Sequence, residues 1–235
     1  MARPIAPTRF PELVRIATDT FIKNGYRRTQ MAEIAEALGV AKGTLYGYVE
    51  SKEALFDAAV RFADRPSEGP TPGELPLKTP SSGATVGYVR ERLARESEDL
   101  ALVRVAQGAL LVDDTARELR TVLSDLYDRL ARNRYVIKLI DRCAVDHPEL
   151  ARVWFGEGRW AQHGLLVHLL ERRTGAGRIR QFSNLDVVAR TLLETMAFWA
   201  VHRHFDAAPQ RVEDSEARDT TISLLVHGLL AGERP

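Results

Sequence analysis

A single cysteine, Cys143, leaves the chain no partner for an internal disulfide, and no spaced set of Cys and His outlines a structural zinc site. Long hydrophobic runs are also missing: no stretch approaches 18 uninterrupted apolar residues, which argues against a membrane span. The first residues, MARPIAPTRFPEL, lack the apolar core and small-residue cleavage pattern of a secretory leader, so the cytoplasm is the expected compartment. Net charge is nearly absent. At +1 over 235 residues there is no global pull toward nucleic acid, and any electrostatic case must be local. There is no P-loop, no dinucleotide fingerprint and no Ser/His/Asp order, so neither an enzyme nor a cofactor is expected. Strand-like alternation of useful length and internal repeats are lacking too, which leaves an all-α fold.

What the chain does have is helical periodicity, 45% apolar residues and one conspicuous interruption. From Arg65 to Thr85 it reads RPSEGPTPGELPLKTPSSGAT, too rich in Pro, Gly and Ser to hold a helix register, and this is expected to be a linker or loop. The expected organisation is therefore a small helical domain over 9–64, a connection over 65–85 and a larger helical domain over 86–232. Helical segments in the larger part are expected near 86–98, 100–111, 115–143, 148–173, 184–205 and 215–231, with breaks at Asp113-Asp114, His147-Pro148, Gly175-Ala176-Gly177 and Ala207-Ala208-Pro209.

The small domain carries the sharper signal. Leu13, Ile16, Ala17, Thr20 and Phe21 line one face of a first helix that Gly25 can end. Met31, Ile34, Ala35 and Leu38 line a second, with Gln30 or Thr29 as its cap. Gly39 then stops the second helix, and only a few residues separate it from another helical segment around Lys42–Gly47. Two short helices at that separation cross steeply, which is helix-turn-helix geometry inside a three-helix bundle. Leu45 is expected to anchor the second of them inward, with Lys42, Gly43, Thr44 and Tyr46 on or near the outer face. Ser51 caps a fourth helix whose apolar face is Leu55, Phe56, Ala59 and Val60. Residues 1–52 hold eight Lys or Arg against five Asp or Glu, a local excess of three. Periodicity alone fits equally well four ordinary helices with surface Lys and Thr.

The run Ile34–Phe56, IAEALGVAKGTLYGYVESKEALF, resembles the TetR family of transcriptional regulators. The Ile34-Ala35 pair, Gly39-Val40-Ala41-Lys42-Gly43-Thr44-Leu45-Tyr46, Tyr48-Val49 and Ser51-Lys52-Glu53 follow the family's order. Ala17, Phe21, Gly25, Tyr26 and Thr29 fall where its first helix and exit belong. The resemblance covers about residues 9–60. It implies that Lys42, Gly43 and Thr44 face the major groove of a double-stranded operator, that Tyr48 and Lys52 clamp backbone phosphates, and that Tyr46 starts the same surface. Ala41 stands where Ser or Thr is customary, Gln30 where a better cap is usual, and Val49 where Phe is commoner.

Beyond residue 86 the resemblance is only one of size, helical content and order. It implies a ligand-binding and dimerisation domain and a repressor released by a small-molecule effector. Leu185, Val188, Ala189, Leu192, Leu193, Met196 and Trp199, with Ile222, Leu225, Val226, Leu229 and Leu230, supply stripes that suit a homodimer seam and equally suit an internal core. Tyr127, Tyr135, Trp154, Phe155, Trp160, His163, His168, Phe198, Trp199 and His202 are candidate ligand contacts, although large residues at helical spacing usually form core. His163 and His168 are five apart and His202 and His204 two apart, so neither pair shares a helix face for a metal. The alternative reading is a helical small-molecule-binding protein or enzyme that keeps a helix-turn-helix as scaffold.

Overall fold

The computed structural model describes residues 7–109 and 114–231. Among them the chain is helical, with two isolated bridges as its only strand-like pairings. The described residues divide into two compact units: 7–91 together with 135–154, and 92–134 together with 155–231, as far as these are described.

The first unit opens with α1 (Phe10–Asn24), whose apolar stripe buries Leu13, Val14, Ala17 and Phe21. Gly25 closes it at φ 80°, its N–H donating to Phe21 O. Next comes α2 (Met31–Ala37), with Gln30 in the cap position and its N–H donating to Glu33. Thr29, the alternative cap, is instead buried, its hydroxyl donating to Gly25 O at 2.8 Å. Gly39 at φ 69° turns the chain, a conformation that a Cβ would strain. The single turn α3 (Lys42–Leu45) follows, then α4 (Lys52–Phe62), whose Ser51 cap accepts from Ala54 N at 3.1 Å. Phe21, Phe56 and Tyr26 pack edge to face or stacked at ring separations of 5.2–6.0 Å, closing the core between α1 and α4.

Residues 65–85, expected as a linker or loop, fold back on this bundle. Short 3-10 turns at Pro66–Glu68 and Pro72–Glu74 lead to Leu77, which bridges Val49 through Leu77 N to Tyr48 O and Glu50 N to Leu77 O, both 2.9 Å. Lys78 and Thr79 then hold Glu50. A Cβ at Gly69 would stand 2.6 Å from the Phe10 ring, so that approach requires glycine. Proline and glycine here exclude an extended regular helix but not ordered turns held by their neighbours.

Helix α5 (Ala84–Glu98) begins in the first unit and ends in the second, which continues with α6 (Ala101–Ala106) and α7 (Thr115–Arg132). The Asp114 carboxylate caps α7 by accepting from Arg117 N at 2.6 Å. Asp113 of the expected break, the end of the expected 100–111 segment and the last residue of the expected 86–232 domain lie outside the described residues.

The expected helix over 115–143 is two helices. Asn133 leaves helical geometry, and α8 (Arg134–Cys143) starts anew, with the Asp64 carboxylate accepting Tyr135 N at 2.8 Å and Val136 N at 3.1 Å. Those amides would otherwise continue α7. An amphipathic stripe on both sides of Asn133 hid the change. Residues 148–173 likewise divide into α9 (Pro148–Ala151), a π-helical stretch Arg152–Arg159 and α10 (Trp160–Gly175). The second unit is completed by α11 (Leu185–Ala200) and α12 (Asp214–Leu229), which pack on each other and on α7, with α10 against α6 and α11. All-α architecture, with a helix-turn-helix in an N-terminal bundle and a larger helical part, is what the structure has.

Candidate nucleic-acid interface

Helix α3 is held to its bundle by one side chain. Leu45 is fully buried, while Lys42, Gly43 and Tyr46 are exposed and Thr44 is half-buried. The helix begins from extended Ala41 with no side-chain cap, as the missing Ser or Thr led one to expect, and Thr44 N donates to Ala41 O at 2.8 Å. The result is a short ridge with a cation, a bare backbone at Gly43 and a 41% exposed phenol at Tyr46. An added Cβ at Gly43 would meet nothing within 4 Å, so the opening there faces outward. Such a ridge can enter a groove, with Lys42 reaching a guanine edge or phosphate and Tyr46 donating to phosphate oxygen.

Tyr48 is a correction. Expected at a phosphate, it is 2% exposed, and its ring joins Leu45, Val49 and Leu55 among the buried side chains of the bundle. After α3 the chain turns inward, and the 2.9 Å bond from Leu77 N to Tyr48 O holds it there. Tyr48 thus supports the ridge rather than belonging to it.

Lys52 is half-buried and engaged. Its Nζ donates to Thr29 O at 2.9 Å and Arg27 O at 3.2 Å, and stands 4.6 Å from the centre of the Tyr26 ring. Tyr26 in turn donates to Glu53 at 3.0 Å; burial, then that bond, push its phenol well above the usual range.

Residues 144–147, placed by sequence in the larger domain, belong to this unit. Asp146 accepts from Arg27 N at 3.0 Å and pairs with its guanidinium, while His147 stacks on Phe56 and meets Tyr26 edge-on with ring centres 4.3 Å apart. Nε2 of His147 is buried with no hydrogen-bond partner, and burial lowers the imidazole pKa below its ordinary value. Cys143, packed beside Phe21, is pushed up to about 12 by burial, so it stays a thiol.

The candidate ligand contacts scatter. Tyr135 and Trp154 lie in the first unit, Trp154 donating to Asp141 at 3.0 Å. In the second, Trp160 and His163 meet at 5.1 Å, with His163 donating to Asp186 O, and the chain neighbours Phe198 and Trp199 meet at 5.4 Å. Tyr127 is core, Phe155 lies under Arg159, and His168 is exposed. His202 and Trp199 are half-buried at the end of α11. No group of three or more His, Cys, Asp or Glu among the described residues could hold a metal, and no helix there is long and apolar enough to cross a membrane.

Of the stripes offered for a dimer seam, Ala189, Leu192, Leu193, Met196, Ile222, Val226 and Leu229 are buried within the protomer, which settles those residues as internal core. The apolar side chains that α11 and α12 leave exposed are Val187, Phe198 and Leu224, the last at 67%.

Comparison with known proteins falls on the same segment. The profile of bacterial regulatory proteins of the tetR family matches residues 13–59. The HTH-type transcriptional repressor KstR2 of Rhodococcus jostii (strain RHA1) is 40% identical over 53 residues, which is 23% of this chain and 26% of that protein, so the match spans about a quarter of the relative's length. Among solved structures, the ketosteroid transcriptional regulator KstR2 of Mycobacterium tuberculosis aligns with a TM-score of 0.58 at 14% identity, covering 99% of this chain and 100% of the other. A tetR-family regulatory protein from Rhodococcus RHA1 aligns with a TM-score of 0.53 at 14% identity, covering 96% and 99%. At these identities the structural likeness is one of fold.

Proposed function

We propose, from the match of residues 13–59 to the tetR family of bacterial regulatory proteins, that the chain is a transcriptional repressor that grips a palindromic operator as a homodimer and lets go when a small molecule binds. The observation that carries this reading is the outward presentation of Lys42, Gly43 and Tyr46 on a one-turn helix whose Leu45 is fully buried. Lys42 reads a base edge or the groove rim, Gly43 admits close approach, and Thr44 and Tyr46 donate to phosphate. Tyr48 fixes the base of the ridge.

A single α3 makes too few contacts to specify a site, so two copies on a two-fold axis are needed, with their ridges about 34–36 Å apart to meet successive major grooves. Val187, Phe198 and Leu224 are the apolar side chains available for that pairing. The effector acts from the second unit by favouring protomer arrangements whose ridges miss that spacing, which requires that it bind the two arrangements with different affinity. Its contacts are to be sought first around Trp160 and His163.

Selection of bound fragments from source-genome DNA, followed by anisotropy titration of the chosen duplex, tests this. The expected result is sequence-dependent binding that Lys42→Ala changes more at some sites than others. Retention of no fragment in preference to any other would remove the proposal.

A further inference from the structure

We infer that Lys78, on the segment that folds back over the bundle, makes an additional contact to a backbone phosphate of duplex DNA beside the start of α4; this rests on the reading of the helix-turn-helix as the DNA-contacting element. It extends that surface into residues whose composition is that of a linker. Lys78 is the only Lys or Arg between Arg65 and Arg90, and the fold carries it to the stretch of chain that joins the ridge to α4. Leu77 pairs with the backbone on both sides of Val49, its N–H donating to Tyr48 O and its carbonyl accepting from Glu50 N, each at 2.9 Å. Thr79, next but one, donates its N–H to Glu50 at 3.1 Å and its hydroxyl at 2.8 Å to Ser51 Oγ, the cap of α4.

Lys52 stands next to that cap, in the first turn of α4, and keeps one ammonium donor beyond its bonds to Thr29 O and Arg27 O. Glu50 is the discordant group, because an exposed carboxylate there repels a phosphate. Both of its oxygens are taken up from the folded-back segment, Oε2 by Thr79 N and Oε1 by Lys78 Nζ at 2.6 Å. That bond uses one of the three Lys78 donors and leaves the side chain 79% exposed. A pair so exposed adds little to stability, and its main effect is to turn an acidic spot into one that displays a cation. Backbone pairing at Leu77 and the grip of Glu50 order the lysine before DNA arrives, so little conformational freedom is lost on contact.

A lysine that only cancels Glu50 matters through Glu50, whereas one that meets a phosphate matters without it. The test compares the full-length chain with Lys78→Gln, Glu50→Gln and the double variant on a duplex selected by the wild-type protein and on a scrambled duplex, across a salt series, after circular dichroism has established that each is folded. Glu50→Gln removes the carboxylate charge and keeps an acceptor for the ammonium. Lys78→Arg is the conservative control, since it keeps the charge.

Expected is a slope of log affinity against log salt that falls by about 0.9 on Lys78→Gln, both in the wild-type chain and in the Glu50→Gln background. Both duplexes weaken by the same factor, about five- to tenfold at 0.1 M salt, so the selected-to-scrambled ratio is unchanged, and Lys78→Arg keeps the slope. A slope that falls in the wild-type chain but not in the Glu50→Gln background makes Lys78 only a partner of Glu50 and overturns the phosphate contact. A slope unchanged in both backgrounds overturns it as well, and either result leaves the DNA-binding reading intact. Failure of the wild-type chain to select any duplex overturns both.

Discussion

Arg173 on α10 holds the carboxylate of Glu118 on α7 through both oxygens, and that carboxylate is 2% exposed. The hydrogen bonds to Glu118 raise the guanidinium pKa above its ordinary value. A buried pair of this kind is costly to break on one side, because the surviving charge has neither water nor partner.

Arg173→Met is therefore expected to destabilise the protein by about 3–5 kcal/mol, and the double change Glu118→Leu with Arg173→Met by much less. Urea unfolding of the three proteins checks this. Equal losses in single and double variants would mean that packing rather than charge dominates.

Tyr48→Ala is expected to cost about 3–5 kcal/mol, the range for removing a large aromatic from a core, whereas a surface phosphate contact would leave stability nearly unchanged. Thermal or denaturant unfolding without DNA distinguishes the two.

Asp64→Ala removes the acceptor for two amides at the start of α8 and should cost about 1 kcal/mol, as for a lost N-cap. Hydrogen exchange at Tyr135 and Val136 should accelerate before that of the α1 core.

Acid should loosen the turn at His147. Burial, opposed by the Asp146 and Glu53 carboxylates and assisted by Arg27 and Lys52, lowers its folded pKa below the ordinary 6.5. Above 6.5 the ring is neutral in both folded and unfolded chains and contributes no pH dependence. As pH falls from 6.5 toward the depressed folded value the unfolded chain takes up a proton that the folded one refuses, and stability declines; below that value the loss is complete. His147→Phe should remove this component from melting curves measured between pH 5 and 8. An identical acid slope in the variant would assign it elsewhere.

The parts of this molecule that were legible in the sequence are the locally determined ones. The stripe of Leu13, Ala17 and Phe21, the positive-φ turn at Gly39, the Ser51 cap and the inward Leu45 each follow from spacing within a few residues. Tyr48 was not legible, because the inward turn after α3 depends on Leu77, 29 residues on by sequence number. Asp146 joins Arg27 across 119 residues, a distance at which periodicity carries no signal. Nor can a stripe on one helix say whether its partner is the same chain or another copy. Leu192 and Met196 turned out to face their own protomer, and only burial separated them from Val187 and Phe198.

If those exposed side chains form the seam, Leu224→Glu should turn a dimer into a monomer at micromolar concentration without loss of helicity. Sedimentation velocity with circular dichroism reads both. A dimer unaffected by that change would place the seam on another face.

Whether the ridge of Lys42, Gly43 and Tyr46 reads duplex sequence is decided by the affinity of the folded chain for its selected duplex relative to a scrambled one at a single salt concentration, with and without Lys42→Ala. A reading ridge gives a ratio of about a thousandfold or more for the wild-type chain, two protomers per duplex, and a ratio sharply reduced by the substitution. Equal affinity for the two duplexes, or a ratio indifferent to Lys42, would contradict it.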